Sequence, residues 1–241
     1  MFKKLVAIAL VLVVSVSLLA GCSSTGKVYH GLGQVPTFRV GPGKDSAEVQ
    51  VYSFNYTTCT ALFDKNGKII DVTFDMLEVS SPNYDGATMP HFSGWPGTEG
   101  YNVTDHASGT VSGVSDNTDE TIAAEVNGWQ SKRQRGDSYG MNTENDWHKQ
   151  MDFYQKFFVG KTVAEINAWF AKYCSDVNGR PLKDTSTKPE DIAKLAKLTD
   201  AEKKSLSDVI AGATMSLKDA HGDLLGALAM AYENRLEVGA K

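Results

Sequence analysis

The chain has 241 residues, 29 acidic against 24 basic, a formal net charge of −5, and 41% hydrophobic residues, enough for a folded core. An acidic balance without a basic cluster beyond Lys3 and Lys4 argues against a phosphate-backbone partner, so no nucleic acid is expected. His91, His106, His148 and His221 stand singly, and no Cys-x-x-Cys or His-Glu-x-x-His spacing occurs, so no metal site is expected either.

The N-terminus joins a short basic segment, Met1-Phe2-Lys3-Lys4, to an apolar run from Leu5 to Leu19. That is the layout of a secretory signal peptide, and the run is short for a span of about 20 residues. It closes on Leu19-Ala20-Gly21-Cys22, which resembles the lipobox of bacterial lipoproteins, where the leader is cut before Cys and the thiol is acylated. The expectation is a signal at 1–21 and a lipid on Cys22 that holds the protein to a cell membrane on its extracytoplasmic face. Loss of Lys3 and Lys4 leaves 22 basic against 29 acidic residues, a formal charge of −7. Residues 22–45, with Ser23-Ser24-Thr25-Gly26 and Val40-Gly41-Pro42-Gly43, read as a flexible tether. Residues 46–241 read as one globular domain.

That domain opens with β patterns. Glu48 to Phe54 alternates polar and apolar residues, Thr58 to Phe63 comes next, and Ile69 to Leu77 is rich in β-branched residues. Asp64-Lys65-Asn66-Gly67-Lys68 joins the last two as a hairpin, because Asn-Gly tolerates the positive φ of a tight turn. Ile70, Val72, Phe74 and Met76 are expected on the covered face and Asp71, Thr73 and Asp75 on the wet one. Residues 80–143 lack a regular pattern, yet Trp95, Tyr101, Trp129 and Tyr139 within them argue for a functional loop system over disorder.

The C-terminal half has helical patterns. Thr143 to Asp146 is expected to start a helix with Trp147, Met151, Tyr154 and Phe158 on one face, stopped at Gly160. Thr162 with Glu165 forms a capping box for a second helix carrying Ile166, Trp169 and Phe170. Asn178-Gly179 turns the chain, Pro189 opens a short helix, and Thr199 with Glu202 caps another that runs towards Ile210. Ser216 is expected to cap the last helix, whose buried stripe is Leu224, Leu225, Leu228, Ala231 and Tyr232. The fold class is α+β: a small antiparallel sheet with helices on one face. Cys59 and Cys174 remain for a disulfide if the fold brings them together.

Chemistry concentrates in Ser207-Asp208-Val209-Ile210-Ala211-Gly212-Ala213-Thr214-Met215-Ser216. Two tiny residues, Gly212 and Ala213, permit close approach of another molecule to the backbone. Thr214 is expected just before a helix N-terminus, where free N–H groups favour an anion. The plain alternative is a small-residue turn between helices.

This segment resembles the flavinylation motif of FMN-binding domains, Asp-x-x-Ser/Thr-Gly-Ala-Thr, often followed by x-Ser/Thr. Such domains occur in the C subunit of the sodium-pumping NADH:quinone reductase and in surface flavoproteins of Gram-positive extracellular electron transfer. In that family a transferase moves FMN from FAD onto the motif threonine as a phosphoester. Carried over, Thr214 is the attachment residue, Asp208, Gly212 and Ala213 match the rest, and Ser216 is the trailing hydroxyl. The chain departs at Ala211, where the family prefers Ser or Thr. Gly86-Ala87-Thr88 repeats the core triplet, but Pro82 stands where the acid belongs, so Thr88 is not assigned FMN. Lys132 to Met141, Trp147, Gln150 and Val159-Gly160-Lys161-Thr162 resemble lipid-anchored members of the group, so the likeness covers roughly residues 48–236.

The resemblance implies an electron carrier and not an enzyme acting alone, since the flavin supplies the redox chemistry. Tyr139 and Met141 are the candidates to pack on the ring, and Arg133 or Arg135 to neutralise phosphate or reduced flavin. The implied partners are an FMN transferase, a membrane quinone or NADH-oxidising donor, an extracellular acceptor, and the membrane through Cys22. The rival expectation is a lipoprotein module without redox role that holds a small ligand non-covalently in the 80–143 loops.

Overall fold

The computed structural model describes residues 26–239 apart from 85, 87, 88, 101, 106–109 and 143, and describes 102–105 and 110–112 by their backbone only. The leader, Cys22 and Thr88 lie outside the described residues.

The architecture is α+β, as expected: a four-stranded antiparallel sheet with helices on its inner face. Strands β1 (Val28–Lys44), β2 (Gln50–Asp64) and β3 (Ile69–Ser80) run as a meander, and the short β8 (Leu236–Glu237) closes the other edge of β1, giving the order β3-β2-β1-β8. The stretch assigned as tether is corrected here. Its residues 28–44 form the longest strand, paired with β2 from Val28↔Asp64 to Lys44↔Gln50. The turn chemistry of Ser23-Ser24-Thr25-Gly26 and Val40-Gly41-Pro42-Gly43 made this stretch read as linker, yet Gly31 and Gly33 between them serve packing. A Cβ on Gly31 would lie 1.8 Å from the Ala231 carbonyl oxygen, and one on Gly33 1.9 Å from that of Ala227. Their bareness lets the C-terminal helix rest directly on strand backbone.

The hairpin between β2 and β3 forms where Asn-Gly predicts it, with the Asp64 carboxylate accepting from the backbone N–H groups of Asn66 and Lys68. A register shift at Leu62/Phe63 places Ile69 opposite Phe63, so Ile69 is buried and Ile70 faces out, against the expected alternation. From Val72 onward the pattern holds, with Phe74 and Met76 inside.

Residues 80–143 carry more regular structure than their composition suggests. They include β4 (Asn102–Asp105) paired with β5 (Thr110–Val114), α1 (Asp119–Asn127), α2 (Lys132–Arg135) and a 3-10 turn at Gly136–Tyr139. α1 and α2 are short and start on capping boxes built by Thr118 with Thr121 and Ser131 with Gln134.

α3 (Trp147–Phe158) starts from the Asp146 carboxylate, three residues beyond the expected Thr143. α4 (Val163–Tyr173) and α6 (Asp200–Gly212) have the predicted capping boxes at Thr162/Glu165 and Thr199/Glu202. α5 (Pro189–Leu195) has Pro in its first turn. α7 (Leu224–Glu233) presents Leu224, Leu225, Ala227, Leu228 and Ala231 to the sheet. The main core joins these to Trp147, Met151, Tyr154 and Phe158 of α3 and to Phe63 and Phe74 of the sheet. Cys59 and Cys174 both lie in that core as free thiols. Burial pushes Cys174 up to about 12 and raises Cys59 as well, so both stay protonated and unreactive.

Candidate functional site

The motif segment leaves α6 at Ala213, whose extended backbone ends the helix. Beyond Ala213 the chain forms a loop clamped from behind by α3. Backbone N–H groups of Thr214 and Met215 both donate to Gln150 Oε1, at 2.8 and 3.0 Å. Gln150 is fixed in turn by donating from Nε2 to the Asn145 carbonyl at 2.9 Å, and Asn145 Nδ2 donates to the Gly212 carbonyl at 3.1 Å. The Tyr154 hydroxyl donates to the Met215 carbonyl at 2.8 Å, and burial raises that phenol far enough to keep it a donor. Ala213 and Leu217 are fully buried on either side. The loop backbone is thus held at both ends and in the middle, while Thr214 stays half-buried. Among the described residues nothing bonds its hydroxyl.

Three expectations about this segment are corrected. Thr214 does not precede a helix N-terminus: α7 starts ten residues later at Leu224, and its N-terminal N–H groups are served by Asp223, which accepts from Gly226 at 2.6 Å. Ser216 caps no helix; its hydroxyl accepts from the Lys218 N–H in a turn. Gly212 offers no approach to a ligand, because the Phe153 ring occupies its open side, where a Cβ would lie 2.1 Å from the ring. Ala213 is core. Asp208 is exposed on α6, ahead of the loop that carries Thr214. Met141 is exposed too, whereas Tyr139 packs on the main core with the ammonium of Lys132 5.6 Å from its ring centroid. Arg133 is committed to structure: it donates to the Phe74 carbonyl, Asp152 and Gln155.

Between the loop and α7 the chain makes a small hairpin, β6 (Lys218–Asp219) and β7 (Gly222–Asp223), that lies over the inner face of the sheet. The Ala220 carbonyl at its tip accepts from Thr37 Oγ1 and Asn55 Nδ2, each at 3.3 Å, and Asp223 N–H donates to Thr57 Oγ1 at 3.3 Å. Gly222 is required by this close fit, since a Cβ there would sit 2.0 Å from Met76 Cε at φ +159°. Asn55 is fully buried, and its Oδ1 has no partner among the described residues. An orphaned acceptor of that kind costs about 1–3 kcal/mol and marks a place for a donor from elsewhere.

The same face carries a buried charge cluster. Glu78 accepts from Arg39 at 2.9 Å and Ser53 at 2.9 Å, and pairs with Lys132 at 2.8 Å. Burial alone would push the Glu78 carboxyl up, but the Lys132 charge and the hydrogen bonds from Lys132, Arg39 and Ser53 outweigh it and hold it below its ordinary range. Asp219 behaves the same way, with burial opposed by the His221 side chain at 3.1 Å. A cleft of about 30 Å³ opens between the hairpin, the motif loop and the sheet, with Met76, Lys132, Trp147, Arg180, Met215 and His221 among its walls. That volume holds one water-sized group.

Sequence reasoning missed Gln150, Tyr154, Asn55 and Glu78 as parts of this site. The available signal was a glutamine on the otherwise apolar face of Trp147, Met151 and Tyr154. A second was Glu78 in register with Val72, Phe74 and Met76 on the inner face of β3.

No protein-family model and no solved structure matches the chain. Among curated proteins it is similar to the chlorophenol reductase of Desulfitobacterium hafniense, 38% identical over 222 residues, or 88% of this chain and 59% of that protein. The chain therefore spans about three-fifths of the relative's length. No helix among the described residues is long and apolar enough to cross a membrane.

Proposed function

We propose that the protein is an extracytoplasmic, lipid-anchored flavoprotein that carries FMN as a phosphoester on Thr214 and relays electrons between a membrane donor and an external acceptor. One observation carries this reading. The only hydroxyl of the Gly212-Ala213-Thr214 triplet stands half-exposed, with no bond among the described residues, on a loop whose backbone is clamped by Gln150 and Tyr154. An attachment residue needs both properties, a reachable nucleophilic oxygen and a fixed backbone. Of the basic side chains around the neighbouring cleft, Lys132 and His221 are held by Glu78 and Asp219, which leaves the exposed Arg180 to suit a phosphate.

The residues fit the phosphate end of FMN. The cleft, at about 30 Å³, is too small to enclose its ring. The bound group supplies the redox chemistry, and this chain's residues anchor it and set the charge beside it. The reductase name of the relative belongs to a longer protein and agrees with a redox role without specifying the cofactor. Anchoring through Cys22 and the membrane partners rest on the leader alone.

Intact-mass analysis tests the reading. Protein from its own host, or co-expressed with an FMN transferase, should be heavier by one FMN less water, with a flavin band that survives denaturation. Thr214→Val should remove both. A colourless native protein at its unmodified mass sinks the flavin carrier.

A further inference from the structure

The outer face of the sheet carries a second, chemically opposite site. Phe38 of β1, Tyr52 and Phe54 of β2 and Val79 of β3 form one wall, and Phe92, Trp95 and Trp129 form the facing wall from the segment after β3. The walls are organised. Phe38 stacks on Tyr52 at 5.8 Å, and Phe92 stands edge-on to both Trp95 at 4.9 Å and Trp129 at 6.0 Å. Trp129 is fixed by donating from Nε1 to the His91 carbonyl at 3.0 Å. The space between the walls is about 610 Å³, within the range of about 300–1,000 Å³ typical of small-molecule sites.

We infer that this aromatic cavity binds a neutral, planar, apolar ring compound. The charge of the lining decides the class: among the described residues no ionisable side chain other than the Tyr52 phenol borders it. Its serine hydroxyls are already engaged, Ser53 with Glu78, Ser80 with the Pro90 carbonyl and Ser81 with Asn83. A charged ligand would lose its hydration and gain nothing in return. Flat faces on both walls favour a ring over a flexible chain, because stacked and edge-on aromatic contacts add to simple burial. Adjacent residues of one strand point to opposite faces, so Phe38 and Phe54 line this cavity while Thr37 and Asn55 hold the motif hairpin. The two sites are separated by the sheet alone. The binding inference stands whether or not Thr214 carries flavin.

Calorimetric titration of the full chain tests it, with menadione as a neutral naphthoquinone probe and naphthalene sulfonate as a charged ring of similar shape. Menadione should bind saturably, one per chain, and the sulfonate at least about tenfold more weakly. Phe38 is 65% exposed and Trp95 69%, so Phe38→Ala and Trp95→Ala should leave the fold intact. Each should weaken menadione about tenfold. Absence of saturable binding, or binding that both substitutions leave unchanged, overturns the inference. So does a dimer in sedimentation that both substitutions dissociate without any effect of menadione, which would place a second copy in the cavity.

Discussion

The two faces of one sheet differ in nearly every property that matters for ligands. On the inner face, Ser53, Asn55, Thr57 and Glu78 are buried and hydrogen-bonded, the β6–β7 hairpin sits on Asn55 and Thr57, and the cleft left over is water-sized. On the outer face, a few residues along the same strands, Phe38, Tyr52 and Phe54 are exposed, uncharged and open on a cavity twenty times larger, about 610 against 30 Å³. Strand alternation alone thus backs a fixed, polar, covered face with an apolar, open one. Rigidity and receptivity are divided between faces, so each can be perturbed without the other.

The sharpest way to break that division is at Lys132. Lys132→Met leaves the Glu78 carboxylate buried with only part of its compensation, and should lower unfolding stability by about 3–5 kcal/mol in urea denaturation. Adding Glu78→Gln should restore much of the loss, while menadione affinity on the outer face stays the same. If Glu78→Gln restores nothing, the ion pair is not what holds the inner face.

Gly33→Ala should cost about 1–3 kcal/mol, since its new Cβ meets the Ala227 carbonyl and α7 must retreat from the sheet. Because α7 continues directly from the β6–β7 hairpin, the flavin proposed for Thr214 should be loaded less fully in this variant. A Gly33→Ala protein of wild-type melting temperature would show that the helix rides more loosely than the close contact implies. Gln150→Leu strips one acceptor from two backbone N–H groups, and should cost about 1–3 kcal/mol and loosen the loop. Hydrogen exchange at Thr214 and Met215 would report it directly.

The inner face also predicts a pH dependence. Glu78 and Asp219 titrate below their ordinary values in the folded chain, so they contribute stability above those values and lose it as pH falls through the folded ones. Stability should therefore decline on acidification below about pH 4.5, the ordinary glutamate value, and less steeply in Glu78→Gln. Equal slopes in the two proteins would remove Glu78 from the account. The smallest effect belongs to the outer face: Trp95→Ala should change stability by no more than about 0.5 kcal/mol while weakening menadione binding.

Local signals in the chain were enough for several elements. Asn66-Gly67 specified its hairpin, and the boxes at Thr162 and Thr199 specified helix starts, because turns and caps are settled by a few neighbouring atoms. The buried stripes of α3 and α7 were equally legible from their period. Failures came where distant segments decide. Val40-Gly41-Pro42-Gly43 made all of 22–45 read as tether, although Gly31 and Gly33 within it seat α7, and Gly212 read as a ligand approach until Phe153 fills its open side. Ser216 read as a cap because nothing local announced the β6–β7 hairpin before Leu224.

The α+β class and the helix starts at Thr162 and Thr199 were legible in the residues alone, while the leader pattern at 1–21 and the likeness that singles out Thr214 remain readings of the sequence. All of these rest on neighbours within a few residues. Packing alone brought the Thr214 and Met215 backbone onto Gln150, joined Glu78 to Lys132 and Arg39, and put Phe38 and Trp95 on one cavity. Those facts join residues tens of positions apart, where burial and hydrogen bonding are set by packing that no short segment encodes.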